Sequence, residues 1–237
     1  MCNNALAFYL DAPLQAWGAS SRFQRRETEA FPTKSGILGL IAAALGIDKH
    51  SPDEPEQLIP LAALKFSVLR VEKKTSPVQR LSDFHTVGGG WHGDWKQDKD
   101  NLIAKMHTPR KAGDGSPFGT VITHRTYLTD AKFIAILEGE KDVIERVAVA
   151  LENPKWGVWF GRKCCLPAAP LSPTLASSSA QAIRDLSDRM SLIFTDQTLG
   201  PGQEESEGDG AWFPSDYPMS FGKREYQARP VRRKLAE

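Results

Sequence analysis

Basic and aromatic side chains are interleaved along this chain, and together they could bind a single strand of RNA. The basic candidates lie in three groups: Arg22, Arg25, Arg26 and Lys34; His124 and Arg125; Arg162 and Lys163. The aromatic candidates between them are Trp17, Phe23, Trp91, Trp95 and Tyr127. Guanidinium groups neutralise phosphates, while aromatic rings stack on splayed bases. The same pattern fits an ordinary charged surface over core aromatics, and spacing alone favours neither interpretation.

The stretch FPTKSGILGLIAAALGI, residues 31–47, starts polar and then becomes almost wholly apolar. It predicts a helix from Ser35 to Leu45 that ends at Gly46. The free N–H groups at its start, near Lys34, Ser35 and Gly36, could bind an anion. Alternatively, Thr33 or Ser35 only caps the helix while the glycines allow close packing. The order of residues does not match the G-x-x-x-x-G-K-[ST] loop of nucleotide hydrolases.

Histidine and cysteine spacing argues against a metal centre. His85, His92, His107 and His124 lack the paired spacing of zinc ligands, and the adjacent Cys164 and Cys165 lack the C-x-x-C gap. We therefore expect neither a metal nor another cofactor. A histidine could act as general base in RNA cleavage, although a surface or hydrogen-bonding role is favoured.

Composition restricts the class of protein further. The 237 residues have a formal net charge of +1, so any nucleic-acid binding must depend on local charge. No secretory signal is recognisable, and Ile37–Ile47 is too short to span a bilayer. The three cysteines form no disulfide framework. We expect a protein of the reducing cytoplasm, without a membrane partner.

The elements that would position these residues alternate between strand and helix. Apolar periodicity predicts strands at Ala5–Leu10, Leu64–Glu72 and Val78–Val87, with a hairpin at Lys73–Pro77 joining the last two. After a polar excursion from Gly88 to about Thr123, a strand (THRTYLTDAKFIAILEG), a helix (EKDVIERVAVALENP) and a short strand (WGVWFGRKCCLP) follow. This order predicts an α+β fold, a βαββαβ unit with both helices on one face of an antiparallel sheet.

The domain organisation follows from where the periodicity weakens. We expect a palm at residues 1–170 with an insertion at about 88–123, and a smaller irregular C-terminal extension at 171–237. The stretch PAAPLSPTLASSS is typical of a linker, and residues 201–210 are typical of a flexible acidic insert. A basic tail follows, with Lys223, Arg224, Arg229, Arg232, Arg233 and Lys234.

Five blocks of this sequence resemble, in order, the CasD subunit family of type I-E CRISPR Cascade, within the RAMP superfamily. They are APLQAWG, FPTKSGILGLIAAALGI, DFHTV, HRTYLTDAKF and FGRKCCLP, and the resemblance covers about Leu6 to Pro167. It implies a ferredoxin-like palm with a thumb at the polar excursion. It further implies a non-catalytic subunit that binds the 5′ handle of the CRISPR RNA (crRNA) in antiviral defence. The expected partners are a backbone subunit at the thumb, the large subunit and, through the complex, target DNA near the protospacer-adjacent motif.

The resemblance also assigns residues. Arg125 matches an arginine of the strand after the thumb, and Trp17 matches the tryptophan of the QAWG block. Residues 34–36 match the family's helix start, and residues 161–163 match its basic turn. The expected RNA contacts are Trp17, Arg22, Arg25, Arg26, Lys34, Ser35, Gly36, His124, Arg125, Tyr127, Arg162 and Lys163.

Two other functions stay open at this level. One is a metal-independent endoribonuclease that cuts the CRISPR repeat, as the type I-C relatives do. It would need His124, Tyr127 and a lysine such as Lys111 brought together. The other is a stand-alone RNA-binding module without filament partners.

Overall fold

The computed structural model describes residues 4–18, 24–73, 79–88, 120–190 and 197–234. Most of the predicted thumb (residues 89–119), Arg22 and Lys111 therefore lie outside the described residues. In the described ranges, no helix is long and apolar enough to cross a membrane.

The described residues form four helices and twelve strands. The helices are α1 (Lys34–Leu45), α2 (Glu54–Ala62), α3 (Lys141–Glu152) and α4 (Ser179–Met190). The strands are β1 (Ala5–Asp11), β2 (Leu14–Gln15), β3 (Arg25–Arg26), β4 (Lys65–Lys73), β5 (Gln79–Gly88), β6 (Thr120–Thr129), β7 (Lys132–Glu138), β8 (Thr174–Ala176), β9 (Gln197–Glu205), β10 (Tyr217–Ser220), β11 (Glu225–Gln227) and β12 (Val231–Lys234).

A six-stranded antiparallel sheet organises the core, with strand order β12-β9-β4-β7-β1-β8. The central strand β1 is buried on both faces, which is why it reads as a continuous apolar run. Leu6, Phe8 and Leu10 belong to the core that includes residues of α1 and α3. Ala5, Ala7 and Tyr9 alternate with them and share the other core with α4. The predicted α+β class with an antiparallel sheet is confirmed.

Helix α1 forms where the sequence predicts it. The Thr33 hydroxyl accepts a hydrogen bond from the Gly36 N–H at 3.2 Å and so caps the helix start. At the other end, Gly46 has φ +73°, and its N–H bonds to the last carbonyl groups. Helix α3 also lies within its predicted stretch. The two predicted helices, α1 and α3, pack on the same face of the main sheet, whereas α4, which the sequence did not predict, packs on the opposite face.

Three strand predictions are wrong. The stretch THRTYLTDAKFIAILEG, predicted as one strand, forms β6 and β7 in two different sheets, with a turn at Asp130 (φ +50°) between them. No hairpin joins β4 to β5, because β4 pairs with β7 and β9 whereas β5 pairs with β6. The stretch WGVWFGRKCCLP forms a loop, since Gly161 turns the chain with φ +90°. The edge strand beside β1 is instead β8, inside the stretch interpreted as a linker.

A second sheet holds the root of the predicted thumb. Strands β5 and β6 pair over their whole length, and β2 and β3 flank β6 on its other side. Large apolar side chains of this ribbon, Leu81, Phe84 and Ile122, are exposed. The alternation that indicated a strand therefore does not mark a core face here.

The C-terminal third packs against the main sheet and against α1 and α2. Strands β9 and β12 extend the main sheet beyond β4, and the hairpin of β10 and β11 packs on α1 and α2. Residues 201–205, within the stretch expected to be a flexible acidic insert, form the end of β9. The last residues of the basic tail, 231–234, form β12 beside them.

Candidate nucleic-acid interface

A groove of about 800 Å³ opens at the start of α1. Its lining comes from segments that are distant in the sequence: Ala16, Trp17, Gly18, Arg26, Glu27, Thr33, Ser35, Gly36, Gly39, Leu40, Ala43, Gly157, Trp159, Gly161, Arg162, Phe221, Arg224 and Tyr226. Three arginines and several aromatic rings thus face one space. This combination suits a strand that presents phosphates on one side and bases on the other.

Trp17 forms part of the groove floor and is not available to stack on a base. Its side chain is 1% exposed and stacks on Phe160, with ring centroids 5.9 Å apart. The indole Nε1–H donates to Gln15 Oε1 at 3.0 Å. A Cβ at Gly36 would lie 2.8 Å from the Trp17 ring, so glycine is needed where the helix crosses it. The prediction that Trp17 contacts RNA is corrected: it packs the loop under α1.

Arg162 lines the groove, and three contacts fix its side chain in place. Its guanidinium donates to the carbonyl oxygens of Thr126, at 3.0 Å, and Arg26, at 2.7 Å. It also lies 4.5 Å from the centroid of the Tyr127 ring. These contacts use one face and edge of the guanidinium and fix its orientation toward the groove.

The Arg162 guanidinium covers one face of the Tyr127 ring. It is 4% exposed, and its hydroxyl accepts a hydrogen bond from Cys164 Sγ at 3.6 Å. Burial raises the pKa of the phenol, and the neighbouring thiol acts in the same direction. The prediction that Tyr127 stacks on a base is therefore wrong, because Arg162 occupies its ring face.

The start of α1 already has an anion from the protein itself. The Lys34 N–H donates to Asp216 Oδ2 at 2.8 Å, and Thr33 accepts from the N–H of Gly36. Ser35 and Gly36 line the groove and are partly buried. The helix start can therefore offer Ser35 to a phosphate, while Asp216 satisfies the rest of the positive end.

The Lys34 ammonium does not face the groove. It is 1% exposed and forms an ion pair with Glu205 at 2.7 Å. It also lies 4.7 Å from the centroid of the Tyr217 ring. Burial lowers the pKa of Lys34, and the hydrogen bond to Glu205 opposes that effect. The prediction that Lys34 contacts RNA phosphate is wrong for this reason.

Lys34 belongs to a buried cluster of two cations and two anions. Arg229 donates from Nε to Asp216 Oδ1 at 2.7 Å and from Nη2 to Oδ2 at 3.0 Å. Glu205 links Lys34 to the Arg229–Asp216 pair, because it forms an ion pair with Lys34 and lies 3.9 Å from Arg229. We call Lys34, Glu205, Asp216 and Arg229 the ion cluster. It attaches the C-terminal third to the start of α1.

Strands β3 and β6 bring other predicted basic residues together. Arg25 lies opposite His124 and Arg26 lies opposite Arg125, in parallel register. Arg25, Arg26 and His124 are exposed, and Arg125 Nε donates to Thr123 Oγ1 at 3.2 Å. Of these, Arg26 lines the groove, and Arg125 lies beside it on the same face of the sheet. Arg25 and His124 alternate with them and lie on the other face.

Sequence analysis missed a set of groove residues: Trp159, Phe221, Arg224 and Tyr226. Trp159 lies in the stretch interpreted as a strand, and exposed Lys163 has its ammonium 5.8 Å from the Trp159 ring. The other three lie in the C-terminal hairpin. The number of basic residues in the tail was a signal for Arg224. No pattern in the neighbouring sequence indicated where the hairpin would pack. In the described residues, no three His, Cys, Asp or Glu side chains come together as a metal site.

The fold and the groove define an antiparallel α+β protein with a basic, aromatic surface of the kind that holds a single nucleic-acid strand. The profile of the CRISPR-associated protein (Cas_Cas5) family matches residues 5–232. The chain therefore belongs to that family.

Known proteins agree with this assignment. CRISPR system Cascade subunit CasD of Escherichia coli strain K12 is 30% identical over 233 residues, covering 94% of this chain and 92% of that protein. A chain of a CRISPR RNA-guided surveillance complex matches with a TM-score of 0.69 at 27% identity, covering 98% of this chain and 90% of that one. A crystal structure of a Cas protein matches with a TM-score of 0.59 at 29% identity, covering 98% and 94%. The resemblance to the CasD family is confirmed.

Proposed function

We propose that this chain is a non-catalytic subunit of a type I-E CRISPR Cascade surveillance complex and binds the 5′ handle of the crRNA in its groove. The groove is the observation that supports this most directly, because Arg26, Arg162 and Trp159 all line it. The likeness to CasD and to a surveillance-complex chain supplies the biological setting, antiviral defence. A cytoplasmic location is part of the proposal.

The proposed palm has the ferredoxin-like arrangement of the RAMP class. The supporting observation is the succession β1-α1-β4-β7-α3-β8, with β4-β7-β1-β8 adjacent in one antiparallel sheet. The proposal assigns the contact with a backbone subunit to the thumb, at about 88–123, most of which lies outside the described residues. The exposed apolar residues Leu81, Phe84 and Ile122 at its root suit a protein partner. Contacts to the large subunit, and to target DNA through the complex, belong to the same proposal.

The absence of catalysis is supported by the arrangement of the residues a repeat nuclease would use. His124 and Tyr127 are three residues apart on β6, which places them on opposite faces of the strand. His124 is exposed beside Phe84, with ring centroids 5.3 Å apart, whereas Tyr127 lies under Arg162. A phenol and an imidazole in these places do not converge on one scissile phosphate.

Binding should depend strongly on salt although the net charge is only +1. Each lysine or arginine that neutralises a phosphate of a single strand adds about 0.7 to the slope of log affinity against log salt. Arg26 and Arg125 are the described cations that the proposal depends on most. Arg184 provides the matched control, because it is an exposed arginine on α4, across the sheet from the groove.

Co-expression with the other Cascade subunits and a crRNA tests the proposal. We expect the wild type and Arg184→Ala to co-purify with the assembled complex, and an Arg26→Ala, Arg125→Ala double variant to lose most of the assembly. Assembly of the double variant at wild-type level would refute groove binding. Incubating the pure chain with its cognate repeat RNA in EDTA tests the absence of catalysis, since a single cut at the handle boundary would identify a nuclease.

A further inference from the structure

The hairpin formed by β10 and β11 packs on α1 and α2 and lines the same groove as Arg162. Its turn and second strand contribute Phe221, Arg224 and Tyr226 to the lining. Arg224 and Tyr226 are both exposed. Among the described residues, no hydrogen bond or ion pair holds the Arg224 guanidinium. An arginine and an aromatic ring thus line the groove from an element separate from the loop that carries Arg162 and Trp159.

The hairpin is rigid for a surface element. Glu54, which is 1% exposed, accepts from the Phe221 N–H at 2.7 Å and from Ser220 Oγ at 2.8 Å. A Cβ at Gly222 would lie 2.1 Å from the Lys49 carbonyl oxygen, so the turn is pressed against the loop after α1. A surface ordered before a ligand arrives loses less entropy on binding.

Arg224 is positioned by an uncommon backbone conformation. Its φ is +59°, in the left-handed region that non-glycine residues seldom adopt. Tyr226 is supported from beneath, since its ring meets Phe221 edge-on with centroids 6.5 Å apart. Partial burial raises the pKa of the Tyr226 phenol, and the positive charge of Arg224 opposes that shift.

We propose that Arg224 and Tyr226 form a second RNA-binding wall of the groove, with the guanidinium on a phosphate and the phenol ring stacked on a base. This inference rests on the proposed function, because it assigns new contacts to the same strand of RNA. Arg26, Arg162 and Trp159 then form the first wall of the groove, and the hairpin forms the second. The RNA contacts come from separate elements, and Arg26 and Arg224 are more than half of the chain apart.

The two residues should have separable effects on the binding of labelled oligoadenylate and oligouridylate RNA by the full chain. Arg224→Ala should lower the salt slope by about 0.7 for both probes. Tyr226→Ala should leave the slope unchanged and weaken oligoadenylate binding by about 5- to 150-fold, with a smaller loss for oligouridylate. Tyr226→Phe should bind like the wild type, because it keeps the ring.

Lys223→Ala is the matched control, since Lys223 is an exposed cation in the same turn that does not line the groove. Its salt slope should remain that of the wild type. Equal slopes for Arg224→Ala and Lys223→Ala, or undiminished binding by Tyr226→Ala, would overturn the second wall. If Arg26→Ala weakens RNA binding while the hairpin variants do not, the groove still binds RNA and only the role of the hairpin is refuted. Absence of RNA binding by the wild type overturns both. Thermal unfolding of each variant verifies that the fold is retained.

Discussion

Asp216→Ala should destabilise the protein far more than loss of a surface carboxylate. Asp216 is 2% exposed and receives two hydrogen bonds from Arg229, which is 4% exposed, and one from the Lys34 N–H. Alanine would leave Arg229 buried, with Glu205 at 3.9 Å as its remaining carboxylate among the described residues. Removing one partner of a buried pair costs about 3–5 kcal/mol. For a chain of this size, that lowers the Tm by roughly 6–20 °C.

Chemical and thermal denaturation followed by circular dichroism measure this loss. Lys141→Ala is the control, because Lys141 and Glu145 form an exposed pair at 3.8 Å that should contribute less than about 1 kcal/mol. An Asp216→Ala, Arg229→Met double variant should recover part of the stability, since no unpaired charge remains buried. A loss below about 1 kcal/mol for Asp216→Ala, or no recovery in the double variant, would refute the reasoning about the ion cluster.

Three further predictions concern the loop after α3. Gly161→Ala should cost at least about 1–3 kcal/mol in unfolding free energy, because φ is +90° and a Cβ would lie 1.7 Å from the Ala16 carbonyl oxygen. Gly157→Ala, with a nearest contact of 3.6 Å, should cost much less, and equal losses in denaturant titrations would contradict this. Burial raises the pKa of the Cys165 thiol to about 11, so peptide mapping after brief alkylation near pH 8 should find exposed Cys164 modified well before Cys165. The sign of the same shift means that the stability from protonated Cys165 is complete below pH 9 and is lost as the pH rises through 11. The difference in unfolding free energy between wild type and Cys165→Ala should narrow over this pH range. A difference that stays constant would exclude the raised pKa of Cys165.

Local chemistry predicts the elements whose signals are local. Helix α1 could be placed from the sequence because Thr33 and Gly46 mark its ends and an apolar run lies between them. Helix α2 was missed since it is short and contains Pro55 and Pro60. Strand β8 was missed because its three residues lie in a stretch rich in proline and serine, and pairing with β1 decides its conformation.

The site shows the same division. Clustering of arginines in the sequence predicts the margin of the groove, where Arg25 and Arg26 meet β6. The position of Lys34 could not be predicted, because its partners Asp216 and Glu205 are 182 and 171 residues away along the chain. Basic residues near a helix start suggest phosphate binding whether their counter-ions come from a ligand or from the protein. Long-range contacts alone distinguish the two cases.

The ion cluster has a consequence for biosynthesis. The start of α1 leaves the ribosome early, whereas Asp216 and Arg229, which neutralise and anchor it, are among the last residues of the described chain to be made. The hairpin wall with Arg224 follows the same schedule. A nascent chain therefore carries an incomplete groove until its final segment docks. Under the proposed function, a complete RNA groove therefore requires the C-terminal extension as well as the palm.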